Sequence, residues 1–256
     1  LSLDSALDVS LSDFTPMQRQ AFLALGAFAH SPNRFDRNAA KAVAACDSRT
    51  IALLVDRNLV EKDDNFPLAR LALHQSLCEF ARAHQPPEAQ TRHRDHYLAF
   101  LLEHENDWQR IEASLPQIEH AWQQLPDDSP LIRKYYGACL AYFTLRSFYV
   151  RHKAWATRML AWATRAYDRE AEAVALGNLG NVAMNQGNYL AARDYHRRAL
   201  ELHTQLDNPL GQAVDLGNLG LVAMNQGDYA AARAYHEQAL ELHTQLDNPL
   251  GQAVDL

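Results

Sequence analysis

The sequence predicts a mainly α fold that ends in an α-α superhelix of stacked helix pairs. Three observations carry this. Two consecutive 40-residue stretches, Leu176–Asp215 and Leu216–Asp255, are identical but for six positions, and a fixed period of that length marks a solenoid. Within each copy the apolar residues recur at helical spacing, as at Leu176, Leu179, Val182 and Ala183. Finally, 256 residues that are 48% apolar and 21% charged, with a net charge of −7, describe a globular chain rather than a disordered one.

The elements before the repeats follow in order. Thr15-Pro16-Met17-Gln18 is a capping box with proline at the first helical site, opening a helix with Phe22, Leu25 and Phe28. Asp36 caps a second helix through Ala45. Ser48 starts a third, with Ile51, Leu54 and Val55 apolar. Leu59–Lys62, a polar turn at Asp63-Asp64-Asn65 and Leu68–Leu73 read as a β-hairpin, with Pro67 keeping its edge from extending. A helix over Gln75–His84 ends at the linker Gln85-Pro86-Pro87-Glu88. Three helices, a hairpin and a helix make a winged-helix pattern. Residues 1–86 form that domain, 87–128 a helical connector, 129–169 a degenerate helix pair and 170–256 the repeats. In the degenerate pair one helix runs over Pro130–Val150 and a second near Lys153–Asp168, with Trp155, Met159 and Trp162 as inter-helix core.

In each repeat Gly187 takes the left-handed position that ends the first helix, and Asn188, or Asp228 in the next copy, caps the second. The second helix buries Tyr189, Ala192, Tyr195 or His196, Ala199 and Leu202, and stops near Asp207-Asn208-Pro209. Small residues at Gly180, Ala183, Ala192 and Ala199 let the two helices approach. Leu179-Gly180, Gly187-Asn188-Tyr189, Ala192, Ala199-Leu200 and Pro209 resemble a tetratricopeptide (TPR) repeat. The period is longer than the usual unit, as in kinesin-light-chain-like repeats. Leu176 stands for the consensus Trp and Ala183 for an aromatic.

The strings Val9–Phe14, Phe22–Phe28, Phe35–Ala44, Leu53–Asp64 and Leu73–Gln85 resemble the winged-helix region of bacterial STAND signalling ATPases, the NB-ARC-like group. Trp108–Leu125 is similar to the connector these proteins place before their repeats. The resemblance implies an ADP-held off state, with a ligand on the repeats releasing an ATP-bound, oligomerising form. ADP or ATP with Mg belongs to a nucleotide-binding domain absent from this chain, which has no GxxxxGK[ST] loop and so no NTP site of its own. In the family a Met-His-Asp motif opens the last winged-helix helix, and its His senses the β-phosphate. Leu73-His74-Gln75 matches it at His74 and departs at Leu73 and Gln75. The TPR resemblance places Val174, Gly177, Asn181, Met184 and Asn185 on a ligand groove, with Val214, Gly217, Leu221, Met224 and Asn225 from the next repeat. Gly177 and Gly217 stand where peptide-tail-binding TPRs often carry Lys, so the expected ligand is a protein or extended peptide held by backbone and apolar contacts.

Other classes are excluded or set aside. GxSxG, HExxH and CxxC motifs are absent, and this chain is expected to bind rather than catalyse. His93 and His96 stand i, i+3 beside Asp95, within metal-ligand reach, but read as a solvated polar face. His203 and His243 read as recurring only because the repeat recurs. Cys46, Cys78 and Cys139 lie far apart, which points to a reducing cytoplasm. No membrane span or signal peptide is legible, and Leu1 marks the chain as a piece of something longer. Residues 129–169 hold eight Lys or Arg against one acid, whereas 170–256 hold four against eleven. Arg158, Arg165 and Arg169 form a basic face that reads as paired with acidic neighbours, with nucleic acid or an acidic partner domain as alternatives. Ser48–Asn65 sets Arg49, Arg57 and Lys62 against Asp56, Glu61, Asp63 and Asp64. That acidic wing argues against DNA, because phosphate binding needs cations there. The rival functions are a DNA-binding regulator with peptide-sensing repeats and a plain TPR scaffold.

Overall fold

The computed structural model describes residues 7, 9–63, 70–146 and 148–255, with no side-chain detail for 253–255. It divides into two compact units, 1–126 and 127–256.

In the first unit, helix α1 (Pro16–Ala24) starts at the expected capping box. Gln18 N–H donates to Thr15 Oγ1 at 3.3 Å, and Thr15 N–H donates to the Gln18 side chain at 3.0 Å. The helix tightens into a 3-10 turn at Leu25–Ala27, because the Gly26 backbone lies directly against Arg82. Helix α2 (Arg37–Ala44) is capped by Asp36 and ends on Ala45 in the left-handed conformation, φ 50°. Helix α3 (Ser48–Asp56) takes Asp47 as its cap. Strands β1 (Glu61–Asp63) and β2 (Arg70–Ala72) pair antiparallel, with Lys62 opposite Leu71. The polar turn beyond Asp63 and Pro67 lie outside the described residues. Helix α4 (Gln75–Ala83) follows, so the order helix, helix, helix, hairpin, helix is the one expected.

Helices α5 (Glu88–Glu103) and α6 (Trp108–Gln123) complete this unit. Its core is aromatic, with Phe28 and Phe35 stacked at 3.9 Å and His93 edge-on to Phe28 at 5.0 Å. Gln117, fully buried in α6, accepts from Ala29 N–H at 2.9 Å and donates to Ala29 C=O at 3.1 Å. A buried amide with both ends satisfied fixes the approach of α6.

The second unit is a run of antiparallel helices, α7 (Leu131–Arg146) and α8 (Tyr149–Ala166), then α9 (Arg169–Asn185), α10 (Tyr189–Gln205), α11 (Pro209–Asn225), α12 (Tyr229–Gln245) and α13 (Pro249–Asp255). The expected helix over Pro130–Val150 is corrected here. It ends at Arg146, and the next begins at Tyr149 rather than near Lys153. Phe148 accounts for the break: its ring packs 5.7 Å from Tyr142, with Arg146 and Arg151 over it at 5.6 and 5.3 Å. Trp155, Met159 and Trp162 are core, as expected. Gly187 is left-handed at φ +74°, and Asn188 and Asp228 cap α10 and α12. Asp207 takes the same left-handed role before Pro209. Consecutive helices pack pairwise along this unit, the architecture of an α-solenoid. Among the described residues no helix is long and apolar enough to cross a membrane.

Candidate functional site

The groove residues sit on the first helices of the two repeats, α9 and α11. Leu176, Leu179, Val182 and Ala183 turn inward and are buried, which leaves the opposite stripe of α9 to solvent. Val174 is 39% exposed, and Val214 and Met224 are 51% and 47% exposed. Gly177, Asn181, Gly217 and Leu221 are half-buried, and Asn185 and Asn225 are exposed. Met184 is half-buried and leans on the Ala183–Ala192–Val222 cluster, so it serves the core as well as the stripe. A Cβ at Gly177 would stand 3.7 Å from Asp215 Oδ1, which places Gly177 at the seam between α9 and α11.

The asparagines are oriented by their own helices. Asn178 Nδ2 donates to the Val174 carbonyl at 2.9 Å, Asn185 to Asn181 at 2.9 Å and Asn225 to Leu221 at 2.8 Å. Each carboxamide nitrogen therefore uses one of its two N–H groups at i−4, which leaves the other N–H as a donor and the oxygen as an acceptor. The stripe thus offers small apolar contacts with neutral donors and acceptors.

Beneath this stripe lies a polar cluster that sequence reasoning missed. Asp215 is 2% exposed and bonds His203 Nδ1 at 2.7 Å, while His196 Nδ1 stands 4.0 Å from its other oxygen. Burial pushes the Asp215 carboxyl up, against the pull of His203, and burial holds His196 down at about 4. Glycines make the room. A Cβ at Gly180 would fall 2.6 Å from the His196 ring, and one at Gly211 2.5 Å from His203; Gly220–His236 and Gly251–His243 repeat the arrangement. That recurrence of glycine at a fixed spacing from histidine was the available signal. In the preceding junction the equivalent positions are Ala163, Ala171 and Ala175, all buried and apolar.

His74 is exposed and caps α4, its Nδ1 accepting from Ser76 N–H at 3.3 Å. An accepting Nδ1 puts the proton on Nε2, which leaves a donor at the tip of the ring. The basic face is engaged. Arg158 pairs with Asp127 at 3.2 Å, Arg165 donates to the Asp127 carbonyl at 2.9 Å and Arg169 pairs with Glu172 at 2.9 Å. Arg133 bridges Asp168 and Glu170 at 2.6 and 2.7 Å. The expected solvated face at His93 is corrected. His93 is buried among Phe28, Tyr97 and His120, and its pKa is held down to about 3 by burial. The described residues contain no cluster of His, Cys, Asp and Glu fit to hold a metal.

Comparison with known proteins bears on part of the second unit. The family model for the tetratricopeptide repeat matches residues 171–245. No curated protein matches the chain. Among solved structures, BtubC (BKLC) from P. vanneervenii aligns with a TM-score of 0.52 at 17% identity, over 91% of this chain and 93% of that one, a likeness of fold. A Signal Transduction ATPase with Numerous Domains (STAND) protein with a tetratricopeptide repeat sensor, from Pyrococcus horikoshii, aligns with a TM-score of 0.45 at 12% identity. That alignment covers 100% of this chain and 55% of the other, so the chain spans about half that protein's length.

Proposed function

We propose that this chain is the regulatory and sensing portion of a STAND-type signalling ATPase, with its tetratricopeptide array binding an extended protein or peptide trigger. The observation that carries the reading is the exposed stripe of α9 and α11, with Val174, Val214 and Met224 beside the free carboxamide oxygens of Asn185 and Asn225. In such arrays the first helices line the concave surface that ligands use. Asn oxygens accept the ligand's backbone N–H groups, and methionine adapts to varied apolar side chains.

Residues 1–86 act as a winged helix, 87–128 as a connector and 129–169 as a degenerate pair leading into the repeats. The winged helix holds the nucleotide-binding domain, absent from this chain, in its ADP-bound off state. His74 Nε2–H faces the β-phosphate. Trigger binding favours the ATP-bound, oligomerising state by its differential affinity for the two forms. The setting is a bacterial cytoplasm. The sequence resemblance supports this assignment, and the chain has no phosphate loop of its own. The ion pairs on the basic face argue against nucleic acid as its ligand.

Extended peptides selected on the chain from a displayed random library test the array reading. Asn185→Leu combined with Asn225→Leu should weaken the selected peptides at least tenfold, because each change removes an acceptor of the ligand's N–H groups. Unchanged affinity in that double variant, with loss on substitution of Arg158 and Arg165, would overturn it.

A further inference from the structure

The first unit carries an open cavity of about 760 Å³ that the switch and the repeat stripe leave unused. Four elements wall it: the start of α2 with Asp36 and Arg37, β2 with Arg70, α5 with His96 and Phe100, and α6 with Arg110. Its size is that of small-molecule sites, which pair a mainly apolar lining with a few polar groups.

Three guanidiniums from three elements border one space. Two have structural work. Arg70 donates to the Ala113 carbonyl, tying β2 to α6. Arg110 pairs with Asp107 at 3.2 Å and contacts His104 Nε2 at 2.7 Å, tying α6 to the end of α5. Arg37 has no such work. It is exposed and has neither a hydrogen bond nor an ion pair among the described residues.

Against the three guanidiniums the lining sets two carboxylates, Asp36 and Glu103. Asp36 is turned to its own helix, accepting from the N–H groups of Asn38 and Ala39 at 2.7 and 2.8 Å. That leaves Glu103 as the acid without a helix to cap. Arginine is suited to such a place because its planar fork matches carboxylate and phosphate oxygens two at a time. An inorganic ion would leave most of the volume, and Phe100, without contact.

We propose that this cavity binds a small organic anion, a carboxylate or phosphate monoester on an aromatic or aliphatic body, with Arg37 on the anionic end and Phe100 against the body. The ligand would join α2 and β2 to α5 and α6, adding a tie within the unit at a site separate from His74 and from the repeats.

The test titrates phenyl phosphate, phenylacetate and inorganic phosphate against the 256-residue chain, read by thermal melting. At about 10 mM, a concentration suited to fragments of this size, at least one aromatic anion raises the melting temperature more than inorganic phosphate does. The stronger of the two identifies the anionic group. Arg37→Ala breaks no contact of the free fold, melts like the parent and weakens binding about tenfold or more, the value of a charge-assisted hydrogen bond. Ala113→Trp, at the cavity wall, abolishes the shift. The proposal is overturned if neither aromatic anion shifts the parent chain, if Arg37→Ala responds as the parent does, or if inorganic phosphate matches the aromatic probes, which would mean an adventitious ion only.

Discussion

At the scale of single residues, the buried histidines do the most to constrain behaviour. His196 in the repeat unit and His93 in the first unit are both buried, and burial holds them down at about 4 and about 3. In the unfolded chain each takes up its proton near 6.5, while in the fold it stays neutral well below that. The unfolded state therefore binds more protons over this interval, so stability is full above about pH 6.5 and falls as pH drops toward the folded values. From pH 6.5 to 5 the loss is about 1.5 kcal/mol for each such histidine. Urea midpoints at the two pH values check this, and equal midpoints would contradict it. Gly180 and Gly177 give a paired test on one helix. Gly180→Ala drives a Cβ into the His196 ring and should cost about 1–3 kcal/mol. Gly177→Ala meets only ordinary contact distance and should gain up to about 1 kcal/mol from helix propensity. Ala45, left-handed at φ 50°, predicts a gain of about 0.5–1 kcal/mol for Ala45→Gly, read from chemical denaturation of the first unit.

At the scale of elements, legibility followed locality. The capping box at Thr15, the caps Asp36, Asn188 and Asp228, and the left-handed Gly187 are signals contained within four or five residues, and each stands where its sequence placed it. Some contacts between elements distant in sequence were not legible. The break before Tyr149 depends on Phe148 meeting Tyr142 and two arginines, and no breaker residue announces it. The i, i+3 spacing of His93 and His96 says which face they share but not that Phe28 and His120 cover His93. The exposure of Val174, Val214 and Met224 was legible because an amphipathic helix exposes what it does not bury. The Asp215 cluster beneath them was not, because its members come from two helices. Asn188→Ala should cost about 1 kcal/mol by removing the bond that Ala191 N–H donates to it, measured by thermal unfolding of the repeat unit.

At the scale of the whole molecule, the account joins a nucleotide switch to a ligand array. On the proposed function, His74→Ala in a protein that carries the nucleotide-binding domain should weaken ADP retention by roughly 10–150-fold and raise basal activity, as expected when one charge-assisted bond to phosphate is lost. Cap loss at α4 is a smaller, separate effect, since Ser76 N–H can turn to water at an exposed position. Unchanged nucleotide exchange would leave His74 with its cap alone. The central claim, that the trigger lies along the first helices of the repeats, is tested most directly by photo-crosslinking. Benzoylphenylalanine placed singly at Met184, Met224 and Arg158 is irradiated with a library-selected extended peptide bound. The account predicts crosslinks from Met184 and Met224 and none from Arg158; crosslinks from Arg158 with none from the two methionine positions would contradict it.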